Sequence, residues 1–181
     1  TFSTFPIINK GYIKFENSLN TAIYTDIKIN TDTVRVYNCH LQSIHLKKKS
    51  YDFMDSLILK YNNKHLDELK DISFRMKDAY IKRARQVDIL GDHIRSSGYP
   101  ALICGDFNDT PVSYTYRKMK GKFLDAFLRS GYGIGNTYLG NFPSFRIDYI
   151  FHSKELKSYN FETKRITWSD HYPVTCEMII K

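Results

Sequence analysis

Pro100-Ala101-Leu102-Ile103-Cys104-Gly105-Asp106-Phe107-Asn108-Asp109-Thr110-Pro111 decides the fold of this chain. The first half is a continuous apolar run closed by glycine, the pattern of a fully buried strand. The second half is polar and turn-forming, so the strand end delivers a carboxylate, Asp106, and a carboxamide, Asn108, to the rim of a sheet. Strand side chains alternate in direction, and any extension through Asn108 aims both groups at one side. A carboxylate in that place can position water, take a proton or bind a hard cation, while the amide can donate to an anionic oxygen. The same residues also suit a plain turn, where Asn and Asp are common.

Working outward, Met76, Tyr80, Ala84, Val87, Leu90 and Ile94 recur at helical spacing and predict a core-facing stripe, with Arg75, Lys82, Arg85 and Asp92 mostly off it. Gly98 is a natural C-terminal stop. Helix followed directly by buried strand makes an α/β unit. Residues 50–61 predict a further amphipathic helix. Residues 22–29 and 34–38 alternate as strands around the turn signal Asn30-Thr31-Asp32, which predicts a hairpin. The second of these runs into Asn38-Cys39-His40-Leu41, with Asn38 and His40 on one face and Cys39 on the other. Downstream, Thr110-Pro111 resembles an N-cap and first position for a short helix through Tyr116. Residues 131–143 form a glycine-rich loop long enough to be functional, and residues 146–151 and 173–180 read as strands. Strands and helices interleave without a linker or repeat, so the expected class is an α/β sandwich in a single domain.

Bulk properties narrow the partners. A chain of 181 residues holds one well-cored domain, and the net charge of +8 favours polyanions such as nucleic acid, anionic lipid head groups or phosphorylated small molecules. The surplus is spread rather than blocked, and spread lysines also serve solubility alone. Cys39, Cys104 and Cys176 are odd in number and each sits in an apolar run, which reads as buried free thiols rather than disulfides or a zinc site. No apolar stretch has the length of a membrane span, and nothing in the chain addresses localisation.

Four strand ends now carry a chemically capable residue: His40, the pair Asp106 and Asn108, Asp148, and Ser169-Asp170-His171. Asp148 lies inside an apolar run, where a carboxylate needs a partner. A histidine suits it, because the carboxylate fixes the tautomer and stabilises the imidazolium. His171 or His40 can be that partner.

In this order, Asn38-Cys39-His40-Leu41, Gly105-Asp106-Phe107-Asn108, Arg146-Ile147-Asp148-Tyr149 and Ser169-Asp170-His171 resemble the motifs of the endonuclease/exonuclease/phosphatase superfamily over nearly the whole chain. The resemblance implies a four-layer α/β/β/α sandwich and a phosphoesterase that depends on Mg²⁺ or Mn²⁺. It implies Asp106 as the residue that positions or deprotonates water, and Asn108 as a contact to a phosphate oxygen. His171, oriented by Asp148, would stabilise the transition state, and His40 would contact the phosphate or leaving group. Asp170 and Asp106 would serve the metal, with Asn38 and Arg146 beside the substrate. The chemistry is consistent with this: in-line attack on a phosphoester builds charge on oxygen and needs cations, donors and a placed water. A GxSxG-type serine signature is absent from the sequence.

The sequence also departs from the family. The family's first strand, with the glutamate that is its principal metal ligand, precedes the position matched by Thr1, and Thr4 stands where arginine is usual. The expectation is therefore the C-terminal two-thirds of a catalytic domain, lacking N-terminal strands. Such a chain would bind metal weakly, hydrolyse poorly by itself, and leave a sheet edge through which copies could associate. The competing expectation is a non-catalytic interaction or anion-binding module on the same fold.

Overall fold

A computed structural model describes residues 1–44, 65–140 and 145–181. The helix expected over residues 50–61 lies outside them, as do the last residues of the 131–143 loop. Among the described residues, eight strands and three helices follow in order: β1 (Ile7–Lys14), β2 (Thr21–Ile29), β3 (Asp32–His40), α1 (His65–Arg95), β4 (Ala101–Asp106), α2 (Tyr114–Lys120), β5 (Leu124–Asp125), α3 (Ala126–Ser130), β6 (Asp148–His152), β7 (Leu156–Thr163) and β8 (Val174–Ile180). The expected hairpin is β2–β3, turned by Asn30 at a φ of 54°. The buried strand is β4, reached from α1 through Gly98 at a φ of 70°. The chain is therefore mixed α/β, as its alternating signals imply.

Six strands form one sheet in the order β1-β2-β3-β4-β6-β5, and β7 pairs with β8 in a second. Among the described pairings β3–β4 is parallel and the others are antiparallel, and α1 lies in the crossover from β3 to β4. One face of the large sheet packs Tyr37, Cys39, Ile103 and Phe151 against Val87, Leu90 and Ile94 of α1 and Tyr116 and Met119 of α2. The other face, through Leu102, Cys104 and Ile150, meets Phe161, Val174, Cys176 and Met178 of the small sheet. A helical layer, a six-stranded sheet and a two-stranded sheet thus stack around β4 and β6.

Two local expectations need correction. The buried face of α1 runs through Ile72, Ala79, Arg83, Gln86, Val87, Leu90 and Ile94, while Tyr80 is exposed. The stripe is rotated because Arg83 and Gln86 find partners inside. Arg83 donates to Asp109 Oδ2 (3.1 Å) and to the Gln42 carbonyl (2.8 Å), and Gln86 Oε1 accepts from the Gln42 amide (2.8 Å). Helix α2 starts at Tyr114 rather than after Thr110, because Ser113 is the residue whose side chain caps it, accepting from the Tyr116 amide. Thr110 instead accepts from the Ser113 amide and closes a turn.

Candidate active site

Strand register builds the site. Thr21 pairs with His40, His40 with Asp106, and Asp106 with Asp148, so one transverse row crosses β2, β3, β4 and β6. Cross-strand partners share a face of the sheet, which puts His40 and both carboxylates on the same side at one sheet end. Asn38 stands one row further in, on the exposed face it shares with His40. The residues between the site groups hold the opposite direction. Phe107 is buried against Tyr149 and Phe151 with ring centroids 5.6 and 5.5 Å away, and its amide donates to the Ile147 carbonyl at 2.9 Å. Gly105 adopts a φ of 141° directly against the backbone of Cys39, where any β-carbon would collide.

Asn108 reaches the site by a turn, not by an extension of β4. Its φ of 51° is left-handed, a conformation that asparagine tolerates better than most residues. Its backbone amide donates to Asp106 Oδ1 (2.7 Å), and its side-chain nitrogen donates to Asp106 Oδ2 (2.9 Å) and to the Leu41 carbonyl (3.0 Å). Both readings made from sequence meet here: the pair does close a turn, and the turn aims both polar groups together.

His171 Nδ1 lies 2.8 Å from Asp148 Oδ2, which resolves the choice of histidine for that carboxylate. The hydrogen-bond network assigns the proton to Nδ1 and leaves Nε2 facing away from Asp148. His40 Nε2 is 3.8 Å from Asp106 Oδ2 on the more open side. Ligand atoms of Asp106, Asp148 and His171 all lie within 4.8 Å of one another, a cluster able to hold a metal ion. Burial, and then the charge of Asp148, push the Asp106 carboxyl up to about 6, against the opposing pull of the Asn108 amide and the two histidines. The hydrogen bond to Asp148 holds the His171 imidazolium above its usual range, although burial acts the other way. Asp106 thus holds its proton more tightly than a free carboxyl does, and His171 holds its imidazolium proton more tightly than a free imidazole.

Other expected residues fall at different distances from this group. Asp170 is exposed beside His171, with its Oδ1 accepting from Ser169 Oγ at 3.1 Å, and it stands outside the three-residue cluster. Arg146, expected beside the substrate, is instead 6% exposed, donates to Asp125 Oδ2 at 2.8 Å, and lies over the rings of Phe127 and Tyr149. Its guanidinium is enclosed by protein and acts as a strut between β6 and the β5–α3 corner. Thr137 and Tyr138 were not singled out from the sequence, yet they meet the site directly. Tyr138 bridges to His171 through the backbone and sets its ring 5.1 Å from the imidazole. Their only signal is membership of the long loop.

The model of the Endonuclease/Exonuclease/phosphatase family matches residues 1–171. No curated protein sequence matches the chain. Among solved structures, a functionally unknown conserved protein from Enterococcus faecalis superposes with a TM-score of 0.69 at 16% identity, covering 97% of this chain and 67% of its own. A mannosyl-6-phosphatase from Bacteroides thetaiotaomicron gives 0.67 at 18% identity, with 97% and 67% covered. The human Nocturnin catalytic domain with bound sulfate gives 0.64 at 16%, with 98% and 60% covered. The chain thus spans about two thirds of the length of these structures, and at such identities the likeness is one of fold.

Proposed function

Since the chain belongs to the Endonuclease/Exonuclease/phosphatase family, we propose that it serves hydrolysis of a phosphodiester or phosphomonoester by in-line attack of water. The observation that carries this reading is the meeting of Asp106 with the Asp148–His171 pair at one sheet end. Asp106, whose carboxyl is pushed up to about 6, has the basicity to take a proton from water near neutral pH. Asn108 fixes both of its oxygens by hydrogen bonds, and presents its amide beside the phosphate. His171 donates from Nε2 toward the phosphoryl oxygens while Asp148 holds Nδ1. His40 and Asn38, on the open face of β3, contact the phosphate or its leaving group.

The donor set suits a hard divalent cation. Carboxylate oxygens predominate, and a neighbouring positive charge would relieve the repulsion that Asp106 feels from Asp148. Asp106, the member of the cluster not engaged in the Asp148–His171 pair, would hold Mg²⁺ or Mn²⁺, which when bound supplies charge against the phosphoryl oxygens. With so few carboxylates the expected affinity is weak, with a dissociation constant on the order of 10⁻⁴ M or above.

The test is hydrolysis of bis-p-nitrophenyl phosphate and p-nitrophenyl phosphate with Mg²⁺ or Mn²⁺, using this chain and any longer natural form. The metal-dependent rate should fall by about 10²–10⁴-fold in His171→Ala and in Asp106→Ala. Comparing the two esters separates diesterase from monoesterase action, and nucleic acid, lipid and sugar phosphates then sort the substrate. A metal-replete longer form that turns over none of them would leave an anion-binding module as the better account.

A further inference from the structure

The loop segment Thr137-Tyr138-Leu139-Gly140 meets both halves of the Asp148–His171 pair, Thr137 at Asp148 and Tyr138 at His171. Thr137 is fully buried, and its hydroxyl oxygen accepts from the amides of both Ile147 and Asp148 at 3.1 Å. Two amides on one hydroxyl fix the backbone at the start of β6, from which the Asp148 side chain projects. The same residue's carbonyl accepts from the Tyr172 amide at 2.7 Å, and the Leu139 amide donates to the Asp170 carbonyl at 2.8 Å. These two bonds bracket His171 from both sides along the chain. Between them Tyr138 lays its ring against the imidazole at a 61° tilt, with centroids 5.1 Å apart. Gly140 has no side chain because the Tyr138 phenol occupies the space a β-carbon would take.

Asp148 and His171 lie 23 residues apart: Asp148 opens β6 of the large sheet, and His171 stands in the segment just before β8 of the small one. The backbone between Thr137 and Leu139 hydrogen-bonds to both segments and so sets the distance from one to the other. We infer that Thr137 and Tyr138 are positioning residues that hold His171 and Asp148 in hydrogen-bonding register, with Thr137 acting on the carboxylate side and Tyr138 on the imidazole. This rests on the hydrolytic reading for its consequence in rate, though not for its consequence in geometry. An imidazole free to swing keeps its chemistry but loses the orientation that makes it effective.

Thr137→Val keeps the shape and removes the acceptor of two amides; Thr137→Ser restores it. In the full chain, Thr137→Val should lower kcat by about 10-fold or more with KM nearly unchanged, and Thr137→Ser should recover most of it. In a His171→Ala background the valine change should cost nothing further, since a residue acting through His171 has nothing left to orient. Tyr138→Leu should behave likewise. Independently of activity, the downfield proton resonance of the His171 Nδ1–H should weaken or shift in Thr137→Val and return in Thr137→Ser. An unchanged resonance, or an equal loss of rate with and without His171, overturns the inference. If neither this chain nor a metal-replete longer form hydrolyses any of the esters, the proposed function fails, and the proton resonance still decides whether Thr137 positions His171.

Discussion

Asp106 shows how burial can work against a fold and for a function. Its carboxyl is pushed up to about 6 from an ordinary value near 3.8, chiefly by loss of solvent and secondly by Asp148. Between roughly pH 4 and pH 6 the folded chain therefore keeps a proton that the unfolded chain releases, so stability falls as pH rises through that window and stays lowered above it. Asn at this position cannot ionise in either state. The stability of Asp106→Asn relative to wild type should thus increase by on the order of 2 kcal/mol from pH 4 to pH 8. Urea denaturation of both proteins at the two pH values checks this. A constant difference would mean that Asp106 ionises in the folded protein as it does in water. His171 acts in the same direction with pH, since its raised value stabilises the folded state at low pH and that contribution fades as pH climbs through it.

At the scale of elements, legibility depended on whether apolar pattern alone chose the buried face. The β2–β3 hairpin and β4 are legible because alternation or a closed apolar run is enough. So are His40, Asp106 and Asp148, whose strands place them at adjacent ends. Strand β7 was not foreseen, because Asn160 at a φ of 49° shifts the register between Tyr159 and Glu162 and interrupts the alternation. The buried face of α1 was misjudged because Arg83 and Gln86 look like solvent residues until their partners on other segments are known. The same limit hid Arg146, whose partner Asp125 is 21 residues away. Arg83 turns this into a prediction. It is 1% exposed and ties α1 to Asp109, the residue after Asn108, so Arg83→Ala leaves a buried carboxylate unpaired. The loss should be about 3–5 kcal/mol in urea denaturation, and replacing both residues (Arg83→Met with Asp109→Asn) should recover much of it. If the single change costs under about 1 kcal/mol, water must be reaching Asp109.

Across the whole molecule the sheet is unevenly covered. Around β4 and β6 both faces are packed, by the helices on one side and the small sheet on the other. At the β1 end the covering thins: Phe2, Phe5, Ile7, Ile8 and Tyr12 are all exposed within the first twelve residues. Clustered apolar side chains on a surface mark a site of association. Strand β1 is the edge of the sheet, and its Lys10 and Lys14 flank Tyr12 on one face, where lysines oppose strand-to-strand pairing. Self-association at this end should therefore proceed through apolar side chains rather than by continuing the sheet, which sets its signature apart. Sedimentation velocity should show mass rising with protein concentration, strengthened by added salt as repulsion between chains of net charge +8 is screened. Ile8→Lys with Tyr12→Lys should return the chain to monomer, whereas Lys10→Ala should leave the association largely in place. A shift to monomer on raising salt would instead assign the contact to ion pairs, and an unchanged monomer across the concentration range would show that the exposed side chains do not meet in one patch.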